Sequence, residues 1–110
     1  MRDRAVDLCW DAFVAAVLPL GPVQERQSRY AEKPALFIDG REIAHLEAAG
    51  VIDLRITSSG WSRTRDRFGE DPAVRRNPSR RDWLELVLES PADIERLEAL
   101  LTVAVAANRR

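Results

Sequence analysis

The dipeptide Asp39-Gly40 stands between two apolar-rich runs, residues 35–38 and 41–46, and constrains the fold more than any other feature of the chain. A two-residue Asp-Gly loop favours a type I′ turn. Both central residues take positive φ there, and the twist of the turn matches that of paired strands. With those residues as the loop, Ile38 falls opposite Arg41, Phe37 opposite Glu42, Leu36 opposite Ile43 and Ala35 opposite Ala44. One face of the hairpin then carries Leu36, Ile38, Ile43 and His45, the other Ala35, Phe37, Ala44 and Leu46. Both faces are partly apolar, so either both are covered or one meets a partner subunit. Gly50 ends the second strand. Beyond it Ile52, Leu54 and Ile56 alternate with Asp53, Arg55 and Thr57, which predicts a third strand over 51–57 with one solvated face.

The flanking segments supply helices. Val6, Cys9, Trp10, Phe13, Ala16 and Val17 recur at helical spacing, so residues 3–18 predict an amphipathic helix with Asp3 as N-cap, stopped by Pro19 and Pro22. Residues 23–30, VQERQSRY, read either as loop or as an edge strand guarded by charge. Ser58 or Ser59 is placed to cap a short helix bearing Trp61, Arg65 and Phe68, with Gly69 as its end. From Pro72 the chain reads as loop, with Asn77-Pro78 as a turn. Residues 83–89 alternate again, with Leu84, Leu86 and Leu88 on one face. Ser90-Pro91-Ala92-Asp93 then opens a last helix in which Ser90 caps and Asp93 completes a capping box. Its buried stripe is Ile94, Leu97, Leu101 and Ala104 or Val105, and it runs to about Ala107. The expected architecture is α+β in one domain, 1–110. A single mostly antiparallel sheet of four to five strands carries the N- and C-terminal helices on one face, with a short helix and an arginine-rich loop before the last strand.

Composition narrows function mainly by exclusion. A net charge of −1 gives no bulk attraction to polyanions. Cys9 is the sole cysteine, so neither an internal disulfide nor a cysteine metal cage forms within one chain, and a reducing cytoplasm is the expected compartment. Cys9 itself belongs to the apolar stripe and is expected to be a packed, inert thiol. Asp7 and Asp11 interrupt the apolar N-terminal residues, which predicts neither a signal peptide nor a membrane span. No P-loop, dinucleotide fingerprint, nucleophile elbow or repeat is present.

The segment GREIAHLEAAGVIDL resembles the core of the small "luciferase domain" family of bacterial and fungal proteins, with Gly40, Arg41, Glu42, Ile43, His45, Gly50 and Asp53 in similar places. Residues 83–88 and 90–101 are similar to that family's Trp-led strand and closing helix, so the resemblance spans roughly 23–104. Relatives of that type often carry a second histidine where Glu47 stands here, and a His-His pair near the place of Arg75 and Arg76. The resemblance implies a fold and no activity. More loosely, the layout is similar to the MmcQ/YjbR-like small α+β domains, for which DNA binding has been suggested from shape.

Two clusters are candidate sites. His45, the one histidine, shares a strand face with Glu47, a pair suited to acid–base work or to two ligands of a metal set; spacing signals no third ligand, so no metal or other cofactor is predicted. Between Arg63 and Asp82 lie seven arginines against four acids. Of these Arg75, Arg76, Arg80 and Arg81, with Trp83, suit an anion or a stacked base. The opposing reading makes those arginines a solvated surface and the aromatics core. The expected function is a non-enzymatic binding or interaction module, a homodimer or a partner subunit. An anion or nucleic-acid binder using residues 63–81, or a small enzyme or metal site at His45, is the alternative. No membrane partner is expected.

Overall fold

Asp39 and Gly40 have φ of 52° and 78°, the positive pair that a type I′ turn requires, and they join strands β2 (Pro34–Ile38) and β3 (Arg41–Ala48). The computed structural model describes residues 7–28 and 32–109. Asp3 and Val6, named above, and the end of the 23–30 segment lie outside the described residues. Among the described residues four more strands flank the hairpin: β1 (Val23–Gln27), β4 (Val51–Arg55), β5 (Val74–Arg76) and β6 (Trp83–Val87). Together they form one six-stranded sheet in the order β1-β2-β3-β4-β6-β5, with every neighbouring pair antiparallel. The count exceeds the expected four to five strands. The segment 23–27 is the edge strand of the two readings given for it, and β5 is a strand where loop was expected. Three residues with two arginines on a sheet edge carry no alternation to detect.

The main departure from expectation lies inside β3. Ile38 pairs with Arg41 and Phe37 with Glu42 as the turn dictates, but Leu36 pairs with Ala44 and Ala35 with His45. Ile43 is the extra residue of a β-bulge, and Ile43 and Ala44 both join the hydrophobic core. A second irregularity follows between Leu46 and Ala48, where β3 meets β4: Leu46 pairs with Ile52, but Ala48 pairs with Val51. The segment between the two bulges is turned over. His45, expected beside Leu36 and Ile38, leaves the core face, and Leu46, expected opposite, packs against the core. Of the second apolar face inferred from strict alternation, Ala35 and Phe37 remain, both buried, while Ala44 and Leu46 join the core side.

The core face is covered by helices α1 (Leu8–Val17), α2 (Ser58–Phe68), α3 (Asp93–Arg96) and α4 (Glu98–Asn108). Trp10, Phe13 and Val17, with Phe68, Ile94, Leu97, Leu100 and Leu101, join Leu36, Ile38, Ile52, Leu54, Leu84 and Leu86 in one cluster. Each such Leu, Ile or Phe contributes about 1.5–3 kcal/mol on burial. Cys9 is buried in this cluster, and its desolvation, aided by Asp7, raises the thiol pKa.

Helix ends differ from the sequence reading in instructive ways. Among the described residues α1 starts at Leu8, and Asp7 caps it by accepting Trp10 N–H at 2.9 Å; its other oxygen accepts Gly50 N–H at 2.9 Å, tying the helix start to the β3–β4 turn. α2 is capped by Thr57, not by Ser58 or Ser59: Thr57 Oγ1 accepts Gly60 N–H at 3.0 Å, and the residue stands at φ 65°. The terminal helix is broken at Leu97 (φ −98°, ψ 5°) into α3 and α4. Ser90 does not cap it. Asp93 reaches back instead, accepting Glu89 N–H at 2.8 Å and Ser90 N–H at 3.3 Å. None of the described helices is long and apolar enough to cross a membrane.

Candidate functional site

None of the described helices packs on the second face of the sheet, and a polar cluster is built there. Its row is set by register: Ala35, His45, Asp53, Glu85 and Arg75 stand opposite one another across β2, β3, β4, β6 and β5. Phe37 also lies on this face yet is buried, with the Arg26 guanidinium 5.8 Å from its ring centre. Ala35 is wholly buried, so neither residue offers an apolar patch to a partner.

His45 is the centre. Its Nδ1 lies 2.8 Å from Glu42 Oε2, and its Nε2 lies 3.1 Å from Glu47 Oε1 and 3.0 Å from Asp53 Oδ2. Glu42 is buried, and its carboxylate accepts the Ser28 hydroxyl at 3.1 and 3.2 Å. Asp53, expected on a solvated face, is 7% exposed and sits in the same cluster, with Arg80 Nη1 at 3.4 Å. The hydrogen bond to Asp53 raises the His45 pKa above 6.5; burial opposes this, and the Asp53, Glu47 and Glu42 carboxylates add to it. Burial alone would raise Asp53, but the hydrogen bond and charge of His45, with Arg80, hold it below the ordinary carboxylate value.

This arrangement has two chemically distinct states. With a proton on each nitrogen, the imidazolium is compensated on both sides by carboxylates. With a proton on Nδ1 alone, Glu42 fixes the tautomer and aims the Nε2 lone pair between Glu47 and Asp53. The donor atoms of His45, Glu47 and Asp53 all lie within 4.8 Å of one another, near enough for small side-chain rotations to bring them onto one divalent ion at about 2.0–2.2 Å. Glu42 then supplies the carboxylate that typically orients a ligating histidine through its second nitrogen. Sequence spacing signalled two such ligands and no metal; the third comes from β4 by cross-strand register. The signals that were there to use are Glu42 and Asp53, acids on either side of the histidine in an apolar stretch.

A cleft of about 400 Å³ opens beside the cluster, lined by Glu47, Asp53, Arg75, Arg76, Asn77, Pro78, Arg80, Trp83, Leu84 and Glu85. Trp83 is half-buried, with its ring centre 5.7 Å from that of His45 and the Arg80 guanidinium 4.8 Å above it. The arginines do not converge as a pair. Arg75 stands opposite Glu85, whereas Arg76 pairs with core-facing Leu84 and places its guanidinium 5.0 Å from the Trp61 ring centre on the helix-covered side. Arg81 is exposed, with no ion pair among the described residues. Comparison with family models, with curated proteins and with solved structures finds no match to this chain.

Proposed function

We propose that this chain is a small binding module whose functional element is a divalent metal site formed by His45, Glu47 and Asp53. The observation that carries the reading is the convergence of one imidazole nitrogen and two carboxylates within 4.8 Å on the helix-free face, with Glu42 on the opposite ring nitrogen. Imidazole and carboxylate donors together suit ions such as Zn²⁺ or Mn²⁺. Three protein donors leave coordination positions for water or a ligand. In the luciferase-domain family that residues 40–53 resemble, a second histidine often stands at the place of Glu47, so this chain departs from that pattern with a carboxylate, itself a competent ligand. The arginine-rich stretch is, in this reading, the wall of the site and not a nucleic-acid surface.

Calorimetric titration and native mass spectrometry test it. One Zn²⁺ or Mn²⁺ ion should bind per chain, with binding abolished in His45→Ala and strongly weakened in Asp53→Asn. Glu42→Gln should weaken it by about 10–100-fold, the usual effect of removing a carboxylate behind a ligating histidine. Equal binding by wild type and His45→Ala would refute the site.

A further inference from the structure

We infer that the cleft beside the cluster holds a small oxyanion, a phosphate or carboxylate, clasped between the metal and Arg80; the inference rests on the metal reading above. The charges of the wall point to this ligand class. Glu47, Asp53 and Glu85 face Arg75 and Arg80, while the Arg76 guanidinium turns to the Trp61 side, so the lining is minus one on its own and a divalent ion takes it to plus one. The excess falls at one place. Arg80 is tied to Asp53 at 3.4 Å, and a metal on the Asp53 carboxylate takes up the charge that holds this guanidinium. The guanidinium is also kept in position from below, 4.8 Å over the Trp83 ring, so its planar fork stays at the mouth of the cleft when Asp53 is engaged elsewhere. A planar fork and an open metal position on one side of a cleft are complementary to the paired oxygens of a carboxylate or phosphate. A cationic or purely apolar ligand finds no such match.

Arg80 is a ligand-binding residue in this account and not a brace for Asp53, and the two roles predict opposite signs. Removing a cation beside a metal site leaves metal affinity unchanged or higher, whereas removing a brace lowers it. Co²⁺ is the probe, read by its visible absorption in the full chain. Bands should appear with wild type, and inorganic phosphate or malonate should then shift them; the stronger of the two anions identifies the oxyanion. Arg80→Ala should keep its Co²⁺ bands with no loss of affinity and bind the anion at least about tenfold more weakly, the scale of one charge-assisted hydrogen-bonded pair. Without Co²⁺, wild type should bind the same anion more weakly, read by tryptophan fluorescence. Absence of any Co²⁺ bands would refute the metal site and this inference with it. Bands that no anion shifts, an equal shift in Arg80→Ala, or loss of Co²⁺ affinity in that variant would overturn the oxyanion site alone.

Discussion

Glu42 Oε2 lies 2.8 Å from His45 Nδ1, although the two residues are three apart in one strand. In an unbroken strand such residues point to opposite faces. They meet because Ile43 is the extra residue of a bulge, which sends Ile43 and Ala44 together into the core and returns His45 to the face of Glu42. The second bulge, at Glu47, completes the construction. A ladder counted back from the Ala48–Val51 pair without it would set His45 against Leu54; with it, the partner is Asp53. Two local insertions thus assemble a histidine and three carboxylates from a strand pair whose alternation alone would bury the imidazole, and Arg80 joins them from the β5–β6 connection.

The titration of His45 follows from this geometry. As the sole histidine, it gives one imidazole resonance, and in metal-free protein its pKa should lie above 6.5 and fall in Asp53→Asn. The sign for stability is fixed by linkage. A folded-state pKa above the unfolded value stabilises fully below about pH 6.5, and the contribution is lost as pH rises through the folded value. Asp53, held low, acts at the acid end: its contribution is present above about pH 3.8 and lost as pH falls through its folded value. With chelator present, the urea midpoint should be lower at about pH 8.5 than at about pH 6, and His45→Ala should remove that difference. A flat profile in wild type would contradict the cluster.

Gly50 should tolerate no side chain. Its φ is 71°, and a Cβ there would meet Leu88 O at 2.9 Å, while its N–H serves Asp7. Gly50→Ala should cost more than about 1 kcal/mol in urea denaturation, since strain at positive φ adds to the contact.

Asn108 should matter more than a residue at a helix end usually does. It is 2% exposed, donates to Arg55 O at 2.8 Å and Ala104 O at 2.7 Å, and accepts Arg55 Nη1 at 2.6 Å, which fastens α4 to β4. Asn108→Ala removes these bonds and leaves the Arg55 guanidinium to Asp82 alone, and should cost about 1–3 kcal/mol by chemical denaturation.

The sequence made the hairpin legible because turn chemistry is local: Asp39-Gly40 fixes a turn type whatever surrounds it. Alternation made the Leu84–Leu86 face legible for the same reason. The bulges left no such mark, because Ile43-Ala44 and Leu46 are apolar in either register and only tertiary packing chooses between them. Asp53 looked like one more solvated residue of an alternating strand. The break at Leu97 was hidden inside a continuous apolar stripe, and Thr57 as a cap at positive φ runs against the preference of a β-branched residue.

The start of the last helix gives a sharp contrast between two neighbouring residues. Ser90→Ala should leave stability within about 0.5 kcal/mol, since its hydroxyl is not the cap. Asp93→Ala should lower the thermal midpoint, because the carboxylate accepts two backbone N–H groups and pairs with Arg96 at 3.2 Å. Leu86→Ala, wholly buried in the core, sets the upper scale at about 2–5 kcal/mol. Equal losses at Ser90 and Asp93 would contradict the cap described.

The most direct measurement is long-range nitrogen–proton NMR of the His45 ring during addition of one equivalent of Zn²⁺ at neutral pH. The account predicts that the metal-bound ring is neutral with its proton on Nδ1, facing Glu42, and that the Nε2 resonance moves to the position of a metal-bound nitrogen. A ring that keeps its Nε2 proton, with shifts unchanged by the added ion, would contradict it.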